Sequence, residues 1–170
     1  MSNDAGPIMA TKSGYSAEAP QDRAAFENTR VAILGTRWNG ELVTALVAGA
    51  RRCLSDFGVN EIHVSERRVP GAFELPLAAE LLMGSGQADV VIALGAVIRG
   101  ATPHFDYVCS ECARGLREAS QRHGIPLGFG VLTVENPAQA AERAGEGRNN
   151  KGFEATAAAL DMLLFTRDMT

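Results

Sequence analysis

Asp89-Val-Val-Ile-Ala-Leu-Gly-Ala-Val-Ile-Arg-Gly-Ala-Thr-Pro-His-Phe-Asp-Tyr-Val108 is the stretch whose reading decides the fold. Val90 to Ile98 is an apolar run, rich in β-branched residues and too short to span a bilayer, so it reads as a strand covered on both faces. Gly95 and Gly100 free the backbone around its end. Thr102 suits a helix N-cap and Pro103 the first helical position, which predicts His104 and Phe105 in the first turn of a helix. Such a turn aims unpaired N–H groups and the positive end of a helix dipole at one spot, which favours an anion such as a phosphate.

Working outward, Arg30-Val-Ala-Ile-Leu-Gly35 is a short apolar strand, followed by the polar turn Thr36-Arg-Trp-Asn-Gly40 with the only tryptophan of the chain. Leu42, Leu46, Gly49, Cys53 and Phe57 then recur at helical spacing, and Gly58 is a stop. Residues 61–69 alternate in part and predict a second strand at a sheet edge, broken by Pro70-Gly71. Residues 73–83 predict a helix with Leu77, Ala78, Leu81 and Leu82 on its core face, closed by Gly84-Ser-Gly86. Downstream of the central stretch, Phe105, Val108, Cys109, Cys112 and Leu116 form the apolar stripe of a helix. A fourth strand is expected over 126–134, a helix from Asn136-Pro137 through Ala144, and a last helix over 153–165 with Thr156, Leu160, Leu163 and Leu164 inward.

Strands alternating with helices predict an α/β fold of three layers, αβα and flavodoxin-like, around a four-stranded parallel sheet in order 2-1-3-4. That order sets strands 1 and 3 side by side at the topological switch point, where ligands bind beyond the carboxyl ends. The Trp38 turn and the His104 turn therefore face one crevice, with Pro70-Gly-Ala-Phe-Glu74 beside it.

The chain has 170 residues and is 46% apolar, enough for one domain with a core that needs no disulfide or metal. Sixteen basic against twenty acidic side chains leave a net charge of −4, so no polybasic surface is available for nucleic acid and a small-molecule partner is expected. Three cysteines, without a secretory or membrane-spanning segment, point to the cytoplasm. Residues 1–28 lack an apolar period and read as a flexible arm preceding a domain over 29–170.

Each candidate residue has a structural reading beside its chemical one. His104 is a proton shuttle or a packing residue. Trp38 is a platform for a planar heterocycle or folds back on the core. Arg143 clamps a phosphate through its planar fork or caps its own helix, and Glu74 binds sugar hydroxyls or starts a helix. Cys109-Ser-Glu-Cys112 has C-x-x-C spacing, but both cysteines lie on the apolar stripe, and no second pair or histidine cluster completes a zinc set.

Val69-Pro-Gly-Ala-Phe-Glu-Leu-Pro76, the segment from Gly95 to Cys109, Phe129-Gly-Val-Leu-Thr-Val-Glu-Asn136, Glu142-Arg-Ala-Gly145 and Asn150-Lys-Gly152, in this order, resemble the lumazine synthase family. The resemblance implies condensation of 5-amino-6-ribitylaminouracil with 3,4-dihydroxy-2-butanone 4-phosphate to 6,7-dimethyl-8-ribityllumazine, the penultimate step of riboflavin synthesis, with no metal or organic cofactor. It implies that Trp38, often phenylalanine in the family, stacks on the pyrimidine with Asn39 beside it. By the same carry-over Ala72, Phe73 and Glu74 line the ribityl and ring pocket, and Val97 and Ile98 edge the ring. Ala101 and Thr102 meet the phosphate, and His104 moves protons. From a neighbouring subunit Phe129 covers the ring, Arg143 holds the phosphate, and Lys151 and Glu154 complete the wall. The family builds pentamers, which in some members assemble by twelves into a hollow 60-subunit shell. The short connection from Gly145 to Gly152 resembles the shell-forming members. Riboflavin synthase is a candidate partner. A flavin- or nucleotide-binding module and a catalytically silent shell protein are the competing readings.

Overall fold

The computed structural model, which describes residues 22–169, is built on strands β1 (Val31–Thr36), β2 (Val64–Val69), β3 (Val90–Ile98) and β4 (Leu127–Val134). All pairings are parallel and the order is β2-β1-β3-β4, as the sequence predicts. Helix α1 (Gly40–Phe57) packs with α5 (Lys151–Asp168) on one face of the sheet, and α2 (Leu75–Gly84) with α3 (His104–His123) on the other. The short helix α4 (Pro137–Arg143) joins the α1/α5 side.

Period-two alternation divides β1 between two cores. Val31 and Ile33 enter the α1/α5 core, whereas Ala32 and Leu34 enter the α2/α3 core. Every residue of β1 and the first seven of β3 are buried, as expected of strands covered on both faces. β2 is an edge strand with no fully buried residue, and carries the polar sequence Ser65-Glu-Arg-Arg68. Edge charges of this kind also discourage pairing with another chain.

Several local expectations give way to tertiary context. The edge strand starts only at Val64; Glu61–His63 is a 3₁₀ turn whose Asn60 side chain accepts from the Ile62 N–H, which places His63 outside the strand. The second helix starts at Leu75 after a 3₁₀ turn over Ala72–Glu74, and it buries Leu75, Ala79 and Met83. Leu77 and Leu81, expected inward, are each 66% exposed. Ala78 and Leu82, the other two residues of that stripe, are half-buried against the core, so the buried face is rotated toward Leu75, Ala79 and Met83; leucines on both faces leave the period little to choose between. Helix α3 starts at His104 with Pro103, not Thr102, in the capping position and no side-chain cap. The last helix starts two residues before Phe153 and runs to Asp168, because Asn150 caps it.

Residues 1–21 of the expected arm lie outside the described residues. The remainder packs: Arg23–Phe26 is a 3₁₀ turn, and Phe26 is fully buried edge-to-face on Phe57 with ring centroids 5.7 Å apart. An aromatic pair of this geometry adds about 0.5–1.5 kcal/mol beyond its burial. Among the described residues no helix is long and apolar enough to cross a membrane.

Candidate active site

A cleft of about 370 Å³ opens where the switch-point rule places it, beyond the carboxyl ends of β1 and β3. Trp38 and Asn39 from the β1–α1 turn, Gly71 to Glu74 from the β2–α2 turn, Ala96 to Ile98 from β3, and His104 and Val108 from α3 line it. Trp38 is 75% exposed, so it does not fold back onto the core. Its turn is tied down on both sides. The Trp38 N–H donates to the Pro70 carbonyl at 3.1 Å, and the Thr36 hydroxyl donates to the Trp38 carbonyl at 3.0 Å.

Asn39 holds the left-handed conformation at φ 57° and ψ 41°, which asparagine tolerates better than most residues. Its Nδ2 donates to the Ala96 carbonyl at 2.8 Å, joining the tryptophan turn to β3. Glu74 uses Oε2 to accept from the Gly71 N–H at 2.9 Å, so it shapes the turn as well as facing the cleft. His104 sits exposed in the first turn of α3.

Arg99 was not anticipated. Its Nε donates to Glu135 at 2.8 Å and its Nη2 to Asp106 at 3.1 Å, and its guanidinium lies 4.1 Å from the centroid of the Phe105 ring. These bonds raise its pKa above the ordinary arginine value, Asp106 first and Glu135 second. It fastens the start of α3, and so His104, to the ends of β3 and β4. Glu135 is 36 residues away in sequence, a pairing no local pattern reveals.

A second concavity of about 360 Å³ lies on the outer side of β4, lined by residues of β4 from Phe129 to Thr133 together with Arg143, Lys151, Glu154 and Ala155. Arg143 donates to the Gln139 carbonyl one turn back at 3.0 Å, the helix-capping role, while it faces this concavity. The Lys151 Nζ donates to Glu154 Oε2 at 2.6 Å, and Glu154 is 9% exposed. The two hollows have no lining residue in common. Of the anticipated site residues, Trp38, Asn39, Ala72, Phe73, Glu74, Val97, Ile98 and His104 are gathered in the first, and Phe129, Arg143, Lys151 and Glu154 in the second. Ala101 and Thr102 are exposed in the β3–α3 turn and line neither.

Of the C-x-x-C pair, Cys112 is buried in the α2/α3 core and Cys109 is half-buried. Burial pushes the Cys112 thiol up to about 12 and also raises Cys109, which keeps both protonated at neutral pH. Among the described residues no group of three or more histidine, cysteine or acidic side chains is placed to hold a metal ion.

The sequence model of the 6,7-dimethyl-8-ribityllumazine synthase family matches residues 28–167. The chain belongs to this family. A lumazine synthase of Kineococcus radiotolerans is 50% identical over 151 residues, which cover 88% of this chain and 92% of that protein. One from Desulfovibrio desulfuricans is 49% identical over 134 residues, 79% of this chain and 86% of its own length. One from Halorhodospira halophila is 47% identical over 145 residues, 85% and 93% of the two chains. The lumazine synthase match thus spans all four strands, helices α1 to α4, all of α5 but its last residue, and both hollows.

Proposed function

We propose that the chain condenses 5-amino-6-ribitylaminouracil with 3,4-dihydroxy-2-butanone 4-phosphate, and that the reaction takes place where the cleft of one copy closes on the β4 concavity of another. The observation that carries this reading is the division of the site residues into two sets with no lining residue in common. One set is aromatic and apolar with a histidine, suited to a heterocycle. The other brings an arginine and a lysine, suited to a phosphate and polar ring substituents.

In this reading Trp38 stacks on the pyrimidine, Phe129 of the neighbour covers it, and Glu74 accepts from ribityl hydroxyls through its remaining oxygen. The ring amine attacks the ketone carbonyl, and water leaves as the imine forms. Elimination expels inorganic phosphate, and the second amine closes the ring with loss of a second water. His104 carries protons between these steps. Arg143 and the exposed Ala101-Thr102 turn hold the phosphate. An amine and a ketone condense unaided, so most of the acceleration comes from holding the two substrates in register. Such a site makes assembly obligatory, and the exposed Leu77, Leu81 and Phe73 supply apolar surface for it. We assign a pentamer, and a shell of twelve pentamers on the strength of the short 145–152 connection. Three free cysteines suit a cytoplasmic protein, with riboflavin synthase as the consumer of the product.

Mixing both substrates with the protein tests the assignment. Fluorescent lumazine should appear with one phosphate released per turnover, and its absence would leave only a binding or shell role.

A further inference from the structure

Asn150 stands at a junction of three helices and is 1% exposed. Its Nδ2 faces three carbonyl oxygens, Ala45 of α1 at 3.1 Å and Ala144 and Gly145 at the end of α4 at 2.9 Å each. Its Oδ1 accepts from the Gly152 N–H at 2.8 Å and the Phe153 N–H at 3.3 Å, capping α5. Only this orientation of the amide works, because the reverse would set an oxygen against three carbonyls and a donor against two N–H groups. The packing leaves no slack. A Cβ at Gly49 would lie 2.0 Å from Oδ1 of Asn150, and one at Gly152 would lie 2.0 Å from the Leu46 carbonyl oxygen.

Arg143 precedes the first of the tethered α4 carbonyls, and Lys151 follows Asn150 directly. Between the two helices runs an exposed loop over 145–149. We infer that Asn150 is a positioning residue for the ionic half of the active site, its single amide fixing the α4 terminus that carries Arg143 against the α5 terminus that carries Lys151 and Glu154. The inference rests on the two-copy reading proposed above, in which Arg143 holds the phosphate. Asn150 touches no substrate; it acts through Arg143.

Asn150→Ser tests it, because serine remains a good N-cap for α5 yet is too short to reach the α4 and α1 carbonyls. The KM for the butanone phosphate should rise about tenfold in Asn150→Ser, while the KM for the pyrimidine moves less than about threefold. In an Arg143→Ala background the same change should shift the phosphate KM less than about twofold, since a residue acting through the arginine has nothing left to position. Asn150→Asp, which keeps the cap and turns an acceptor toward the three carbonyls, provides the same comparison if the serine variant does not fold. Equal loss of kcat with both KM values unchanged, or a phosphate effect of full size without Arg143, would reduce Asn150 to a structural role and overturn the inference. If Arg143→Ala itself leaves the phosphate KM unchanged, the phosphate assignment fails first and this inference fails with it.

Discussion

The two hollows differ in how they are made. The cleft at the strand ends is built from turns, and its aromatic residues stand in water in the single chain, Trp38 at 75% exposure and Phe73 at 60%. The β4 concavity is floored by a strand and walled by helix ends, with Glu154 nearly buried, Lys151 paired to it and Arg143 bonded to its own helix. The first is unfinished on its apolar side, whereas the second is locally satisfied and holds its cations ready. The two are complementary in character, as the proposed two-copy site requires.

The contrast predicts separable defects. Arg143→Ala should weaken use of the butanone phosphate by about 2–3 kcal/mol, the worth of a charge-assisted bond, with the pyrimidine KM nearly unchanged. Steady-state kinetics with each substrate varied would check this. His104→Ala should lower kcat by about tenfold to a hundredfold without abolishing turnover, because orientation survives the loss of a proton carrier. Complete inactivity in an assembled protein would contradict that.

Trp38→Ala should cost about 1 kcal/mol in pyrimidine affinity, and Trp38→Phe should recover most of it. Because the side chain is exposed, the melting temperature should hold in both variants.

The smallest effect concerns the frame shared by both halves. Burial alone would raise the Asp89 carboxyl, but the bonds from Arg30 outweigh it and hold the group below the ordinary carboxylate value. The folded pKa is the lower one, so this stability is present above the unfolded value of about 3.9 and is lost as pH falls through the folded pKa. Asp89→Asn should therefore lower the melting temperature slightly at neutral pH, with the gap to wild type closing as the pH falls, so that the acid side of the profile flattens.

Sequence made the cleft more legible than the concavity. Val90 to Ile98 is an unbroken apolar run, Gly58 marks a helix end, and strand–helix alternation fixes the switch point, so the sequence alone places the Trp38 and His104 turns in one crevice. Arg143, Lys151 and Glu154 carried no local pattern linking them, and motif resemblance alone grouped them. Asn150 had one signal, an asparagine before a helix, which reveals its cap but not its reach to Ala45 over 105 residues. On α2, leucines occupy both faces, so Ala78 and Leu82 pack against the core as the sequence predicts, whereas Leu77 and Leu81 stand exposed in the single chain.

Subunit complementation tests the central claim most directly. His104→Ala and Arg143→Ala chains, each impaired alone, are denatured, mixed in equal amounts and reassembled. If each site takes its histidine from one copy and its arginine from the next, about a quarter of the sites in the mixture carry both native residues. Activity should then rise to about a quarter of wild type, above the mean of the two parents. Activity equal to that mean would show that both residues serve one chain, and the shared site would be wrong.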